Sequence, residues 1–137
     1  SKREEFKKLP PEEVSFPRSV SDVVKYKSHA SIYAKGTPIH ARGALLFNHY
    51  IKEKKLDAKY SLIQNGEKIK FCYLKKPNHI HENVISFIQD FPRELNLDKY
   101  VDYDLQFEKS FLEPLKAILD SIGWNVEKTV NLELFFG

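Results

Sequence analysis

The stretch Lys35-Gly36-Thr37-Pro38-Ile39-His40-Ala41-Arg42 sets three basic side chains around the start of an apolar-striped segment. Thr37 suits a helix N-cap, and Pro38 suits the first helical position, where a missing amide hydrogen costs nothing. A helix that begins there leaves backbone N–H groups unpaired and presents the positive end of its dipole, so anions are favoured. Lys35 and the flexible Gly36 precede that end, and His40 and Arg42 follow it. A purely structural helix gains from Asp or Glu in its first turn, yet neither occurs between Lys35 and Lys52. The chemistry expected of Lys35, Gly36, Thr37, His40 and Arg42 is therefore phosphate binding; the competing reading is an ordinary helix start.

Other cations can follow the same polyanion. Lys75 and Lys76 are adjacent, and Lys109 and Lys116 stand two turns apart on a helical pattern. A solvated basic face explains these four equally well. Residues 1–76 hold 17 Lys and Arg against 8 Asp and Glu, a local +9, whereas residues 77–137 hold 5 against 11, a local −6. The first half is a basic surface suited to polyanions.

Signatures of catalysis are nearly absent. The sequence has no glycine-rich phosphate loop, no nucleophile elbow and no Cys or His grouping at zinc-ligand spacing. His79 and His81, one residue apart, read as solvated loop residues, and His29, His40 and His49 lack ligand spacing. Asp102 and Asp104 read as helix N-terminal acids. No catalytic residue and no metal ligand is assigned. The single Cys72 allows no internal disulfide and points to a reducing compartment.

The elements that position these residues follow from periodicity. A helix should run from Thr37 to about Lys55, with Ala44, Phe47 and Ile51 on its apolar stripe beside Leu46 and Tyr50. Ser19 and Asp22 form a weak capping box before a short helix containing Val23, Val24 and Tyr26. Residues 60–64 and 68–74 are β-prone, and Asn65-Gly66 between them predicts a hairpin. Val84 to Ile88 adds a short strand. Phe107, Phe111, Leu115, Ile118, Leu119 and Ile122 predict a second long helix, kinked or divided at Pro114 and ended by Gly123. Residues 1–15 read as a charged arm or linker in which Pro10-Pro11 stops any helix. The expected fold class is α+β, two main helices bracketing a small antiparallel sheet.

A chain of 137 residues with 42% hydrophobic and 30% charged residues is suited to one domain with its own core, which excludes disordered and disulfide-stapled classes. No apolar run approaches the roughly 20 residues of a membrane span, so no membrane partner is expected. Met is absent, so the chain is expected to start after processing or to be an excised piece. At the other end, Leu132, Phe135 and Phe136 would be wasted at a terminus unless they enter a pocket on another molecule. Their spacing resembles the short peptides that dock replication proteins onto sliding clamps, although Thr129 stands where many of those have Gln. The alternative is that this tail folds back onto its own core.

Across nearly its whole length the sequence resembles the C-terminal thumb of family B DNA polymerases of the T-even bacteriophage type. The resemblance rests on Phe16-Pro17-Arg18 with Val23-Val24-Lys25-Tyr26, the Lys35 to Arg42 stretch with Gly43-Ala44-Leu45-Leu46, Lys68-Ile69-Lys70-Phe71 with Tyr73-Leu74-Lys75, Tyr100-Val101-Asp102-Tyr103, Phe107-Glu108-Lys109-Ser110-Phe111 and the terminal peptide. It implies a thumb-like domain over residues 1–131 that grips primer–template duplex DNA by its backbone, and a clamp-binding peptide over residues 132–137. Lys35, Arg42, one of Lys75 and Lys76, and Lys109 would touch phosphate, and Leu132, Phe135 and Phe136 would enter the clamp. The remaining polymerase domains, palm, fingers and exonuclease, would be partners in cis or as a separate subunit. The resemblance places the catalytic magnesium in the palm, so no cofactor is expected in this chain and it should not polymerise alone. It also implies a phage-encoded protein in the cytoplasm of an infected bacterial host. Two alternatives remain: a freestanding DNA- or clamp-binding accessory protein, and a small metal-dependent hydrolase built on His79, His81 and a nearby carboxylate.

Overall fold

The computed structural model describes residues 1–123; Leu132, Phe135 and Phe136, like the rest of 124–137, lie outside the described residues. Three antiparallel strands, β1 (Phe16–Ser19), β2 (Lys68–Tyr73) and β3 (Val84–Phe87), form a sheet in the order β1-β2-β3. Phe16 lies opposite Phe71, and Phe71 opposite Ser86. Pro17, which has no amide hydrogen to give a ladder, sits on an edge strand, where that loss is tolerated.

Two short helices, α1 (Lys2–Lys7) and α2 (Pro11–Val14), open the chain. The Ser1 hydroxyl accepts the Glu4 amide at 3.2 Å and caps α1, and Pro11 opens α2. The segment expected as an arm is therefore folded. Phe6 is buried edge-on against Phe107 at 5.4 Å and Phe111 at 5.8 Å, and the Glu12 carboxylate forks onto Arg93 at 2.8 and 3.0 Å.

Helix α3 (Ile39–Glu53) lies along β3 and buries Ala44, Leu46, Phe47 and Ile51, the stripe its spacing predicts. The approach is close. A Cβ on Gly43 would collide with the Ser86 hydroxyl and stand 2.8 Å from the Ser86 amide, and that hydroxyl donates to the His40 carbonyl at 2.9 Å. On the opposite face, α4 (Tyr103–Phe107) contributes Gln106, fully buried, whose Nε2 donates to the Val14 carbonyl at 2.6 Å while its Oε1 accepts the Tyr73 amide at 2.9 Å. One side chain thus satisfies α2 and β2 together.

The architecture is α+β with an antiparallel sheet, as expected, but three local expectations need correction. Residues 60–64 are not a strand, and Asn65-Gly66 is a turn outside the sheet. The buried Asn48 amide explains this: it donates to the Ile63 carbonyl at 2.9 Å and accepts the Ile63 amide at 2.8 Å, taking the groups a ladder needs. Gly66 keeps the positive φ of 84° that the turn demands. Thr37 does not cap α3; its hydroxyl donates to the Ala34 carbonyl, and Pro38 stands at the N-cap with no side-chain cap bond. Ser19 belongs to β1 and makes no capping box; Asp22 accepts the Lys25 amide at 2.9 Å at the start of the one-turn helix Val24–Tyr26. The second long helix is divided near Pro114, as expected: α4 passes into a π-helical stretch, Glu108–Leu112, and then into α5 (Glu113–Ser121), with Pro114 in the first turn of α5. The register widens just where proline withholds a donor. Gly123, at φ 82°, follows the end of α5 as read. No helix among the described residues is long and apolar enough to cross a membrane.

Candidate nucleic-acid interface

The sheet presents alternate side chains to α3, so Phe16, Arg18, Phe71, Tyr73 and Ser86 share one face. Because α3 lies mainly over β3, the β1 side of that face is only partly covered, and Phe16 and Tyr73 remain half-buried. The rings form a run: Phe16 to Phe71 at 5.5 Å, Phe71 to Tyr73 at 5.8 Å. Two cations flank it. The Arg18 guanidinium lies 5.5 Å from the Phe71 centroid, and the Lys109 ammonium 5.4 Å from that of Tyr73. His40, in the first turn of α3, stands 6.4 Å from Phe71.

Thus the structure connects His40 and Lys109, distant in sequence, through one aromatic run. His40 was expected as a further cation. Burial first, and the charge of Arg18 second, hold its pKa below the ordinary imidazole range, so it enters this face neutral at pH 7. It offers a hydrogen bond rather than a charge.

Lys35 and Gly36 are exposed in the turn before α3, and Gly36 has a φ of 83° with open space around it. With no acid in the first turn of α3 and no side chain capping it, its first amides face no competing anion from their own helix. Thr37, through its bond to Ala34, fixes the turn instead. Arg42 is already engaged: its Nη1 donates to Glu82 Oε2 at 3.1 Å and Asn83 Oδ1 at 2.7 Å.

Lys75 and Lys76 are exposed in the loop after β2, which the buried Asn78 braces through bonds to the carbonyls of Lys75 and Glu82, both 2.7 Å. Lys75 lies near enough to act on Asp104, whose pKa is lowered first by its hydrogen bond with Lys7 and further by Lys7, Arg3 and Lys75 charges. Lys7 and Arg3 reach Asp104 at 3.0 and 3.6 Å. Lys109 also pairs with Glu113 at 3.6 Å, and Lys116 is exposed on α5.

Asp102 caps α4 by accepting the Leu105 amide at 3.1 Å, in line with the sequence reading. His79 Nε2 donates to the Leu95 carbonyl at 2.9 Å, and His81 is exposed. Among the described residues no group of three His, Cys, Asp or Glu side chains could hold a metal ion. Cys72 is fully buried, and burial pushes its thiol up to about 12, far from a nucleophile's range.

Sequence reasoning missed Arg18, Phe16, Tyr73, Arg3 and Lys7 as members of this surface. A signal for Tyr73 exists in the period-two pattern of β2, whereas Phe16 and Arg18 join this face only through the pairing of β1 with β2. No protein-family model matches the chain. The chain is similar to the DNA-directed DNA polymerase of Enterobacteria phage T4, with 24% identity over 137 residues, covering 97% of this chain and 15% of that protein. It therefore spans about 15% of the length of the curated relative it matches.

Proposed function

We propose that the chain is the thumb of a replicative family B DNA polymerase, as a fragment or as the small subunit of a split enzyme, holding primer–template duplex by its backbone. The observation that carries this reading is similarity to a phage DNA polymerase along 97% of the chain. The surface supports it chemically. Arg18, Lys109, Lys35 and the uncapped start of α3 offer donors suited to phosphate oxygens, and nothing in them selects a base edge. In this reading Leu132, Phe135 and Phe136 tether the chain to a sliding clamp, and the protein works in the cytoplasm of a phage-infected bacterium.

Phosphoryl transfer in such an enzyme belongs to a magnesium-binding palm. The described residues do not fit that ion: Asp102 is committed to a helix cap and Asp104 to Lys7 and Arg3. This chain's part is to bind and orient duplex.

Duplex affinity measured against salt tests the proposal. Binding should be indifferent to sequence and fall linearly on logarithmic axes, with a slope of roughly 0.9 per phosphate neutralised. The isolated chain should extend no primer, and a polymerase body lacking its thumb should gain processivity when the chain is added. Marked sequence preference, or nucleotide incorporation by the chain alone, overturns the reading. Deleting residues 132–137 should abolish clamp binding by calorimetry while leaving duplex affinity intact.

A further inference from the structure

The segment between β1 and α3 has little regular structure, a single one-turn helix, yet it carries Lys25, Lys27, His29 and Lys35. Val23 is buried and Tyr26, Ile32 and Tyr33 pack against the core, while between them Lys27, Ser28 and Ser31 line a cleft of about 540 Å³ against Asn48, His49 and Lys52 of α3. Polar pins fix it at both ends of that cleft. At one end Asn65 Oδ1 accepts the amides of Val23 and Val24, at 2.5 and 3.3 Å. At the other, the Tyr33 hydroxyl donates to Glu82 Oε1 at 2.6 Å, and Arg42 binds the second oxygen of the same carboxylate at 3.1 Å while its guanidinium lies 5.6 Å from the Tyr33 ring centroid.

Arg42 and Glu82 side chains are only 20% and 16% exposed. If Arg42 turned to a phosphate it would strand a poorly solvated carboxylate and leave Asn83 without its donor. Hydrogen bonding to Glu82 is also the leading reason the Tyr33 hydroxyl holds its proton above the ordinary range, so the donor role is stable at neutral pH. We infer that Arg42, Glu82 and Tyr33 form a lock that positions the basic 25–35 segment, and that Arg42 serves duplex binding through that segment rather than by touching phosphate. The inference rests on the duplex-binding reading, which it deepens.

Two measurements separate the inference from that reading. In the DNA-free protein, Tyr33→Phe and Glu82→Gln should speed amide hydrogen exchange over residues 28–36 about tenfold, with the middle of α3 unchanged. Unchanged exchange there overturns the lock whether or not DNA binds. On duplex DNA, Glu82→Gln, although it removes a negative charge, should weaken binding three- to tenfold at fixed salt. Arg42→Ala should do the same with little change in salt slope, Arg42→Lys should recover part of the loss, and the Arg42→Ala/Glu82→Gln double variant should be no weaker than Arg42→Ala. Tighter binding by Glu82→Gln, with a slope reduced by roughly 1 in Arg42→Ala, makes Arg42 a phosphate contact and sinks the proposal. Wild-type chain that binds no duplex sinks the duplex-binding reading and the role assigned to the lock, while the exchange result still judges the lock itself.

Discussion

The α3–β3 body and the 20–36 segment beside it are held by different mixtures of apolar packing and polar bonds. In the body, Ala44, Leu46, Val84, Ile85 and Phe87 are fully excluded from water, and Gly43 brings helix and strand into backbone contact. In the segment, Lys25, Lys27 and Lys35 are exposed, Val20 and Val23 are buried near its start, and Asn65, Tyr33, Glu82 and Arg42 add polar pins. Apolar packing is distributed over many atoms and resists any one change; polar pins are few and can be removed singly. Lys25, Lys27 and Lys35 thus sit on the part of the fold that single substitutions can loosen.

The largest effect should come from the body. Phe47→Ala removes a ring that is 1% exposed and should cost about 3–5 kcal/mol of unfolding free energy. Gly43→Ala, which adds one carbon against Ser86, should cost about 1–3 kcal/mol through overpacking. Urea titration with an unchanged m-value checks both. If Gly43→Ala is neutral, helix and strand are not in rigid contact and the contrast between regions weakens.

Next in size is a polar tie that belongs to the body. Arg93, followed by the Glu12 and Phe91 backbone bonds, overcomes desolvation and lowers the Glu12 carboxyl from 4.5 to about 2. A depressed folded-state value stabilises above the unfolded value and is lost as pH falls from about 4.5 towards about 2. After discounting for the half-exposed Arg93, the contribution at neutral pH is about 1–2 kcal/mol. Glu12→Gln should flatten the loss of stability over that acid window. An unaltered pH profile would show that α2 is held without this pair.

Asn65→Ala tests the segment itself. It strips the acceptor from two amides and should cost about 1–2 kcal/mol, with exchange at Val23 and Val24 rising well before global unfolding. Global and local loss in step would mean that segment and body unfold as one unit.

This division also decides what the sequence could disclose. Helix α3 was legible because its apolar stripe is local, and β3, the Asp102 cap and the Gly123 stop were legible for the same reason. The partner of β2 was not. Asn65-Gly66 pointed to a strand next door, whereas the true partner is Phe16–Ser19, some fifty residues earlier and interrupted by Pro17. The roles of Asn48 on Ile63, Asn65 on Val23 and Arg42 on Glu82 are side-chain bonds across long separations, which leave no periodic trace. Lys35 and the start of α3 could be read as anion-binding from their own neighbours. Arg18 could not, since only its pairing with Ile69 turns it to the face it shares with His40.

The smallest expected effect sharpens the comparison most. Lys35→Ala and Lys55→Ala remove the same charge at opposite ends of α3, on exposed side chains, so each should change stability by no more than about 0.5 kcal/mol. Helix α3 has 15 residues, which at 1.5 Å per residue separates its ends by roughly 22 Å, about twice the screening length at 0.1 M salt. A duplex seated at the start of α3 therefore feels Lys35 and hardly feels Lys55. Lys35→Ala should lower the salt slope of duplex binding by roughly 1, and Lys55→Ala by far less. Equal slopes for the two variants would mean that net charge alone draws the DNA, and that the polar pins of the 20–36 segment position nothing that the DNA uses.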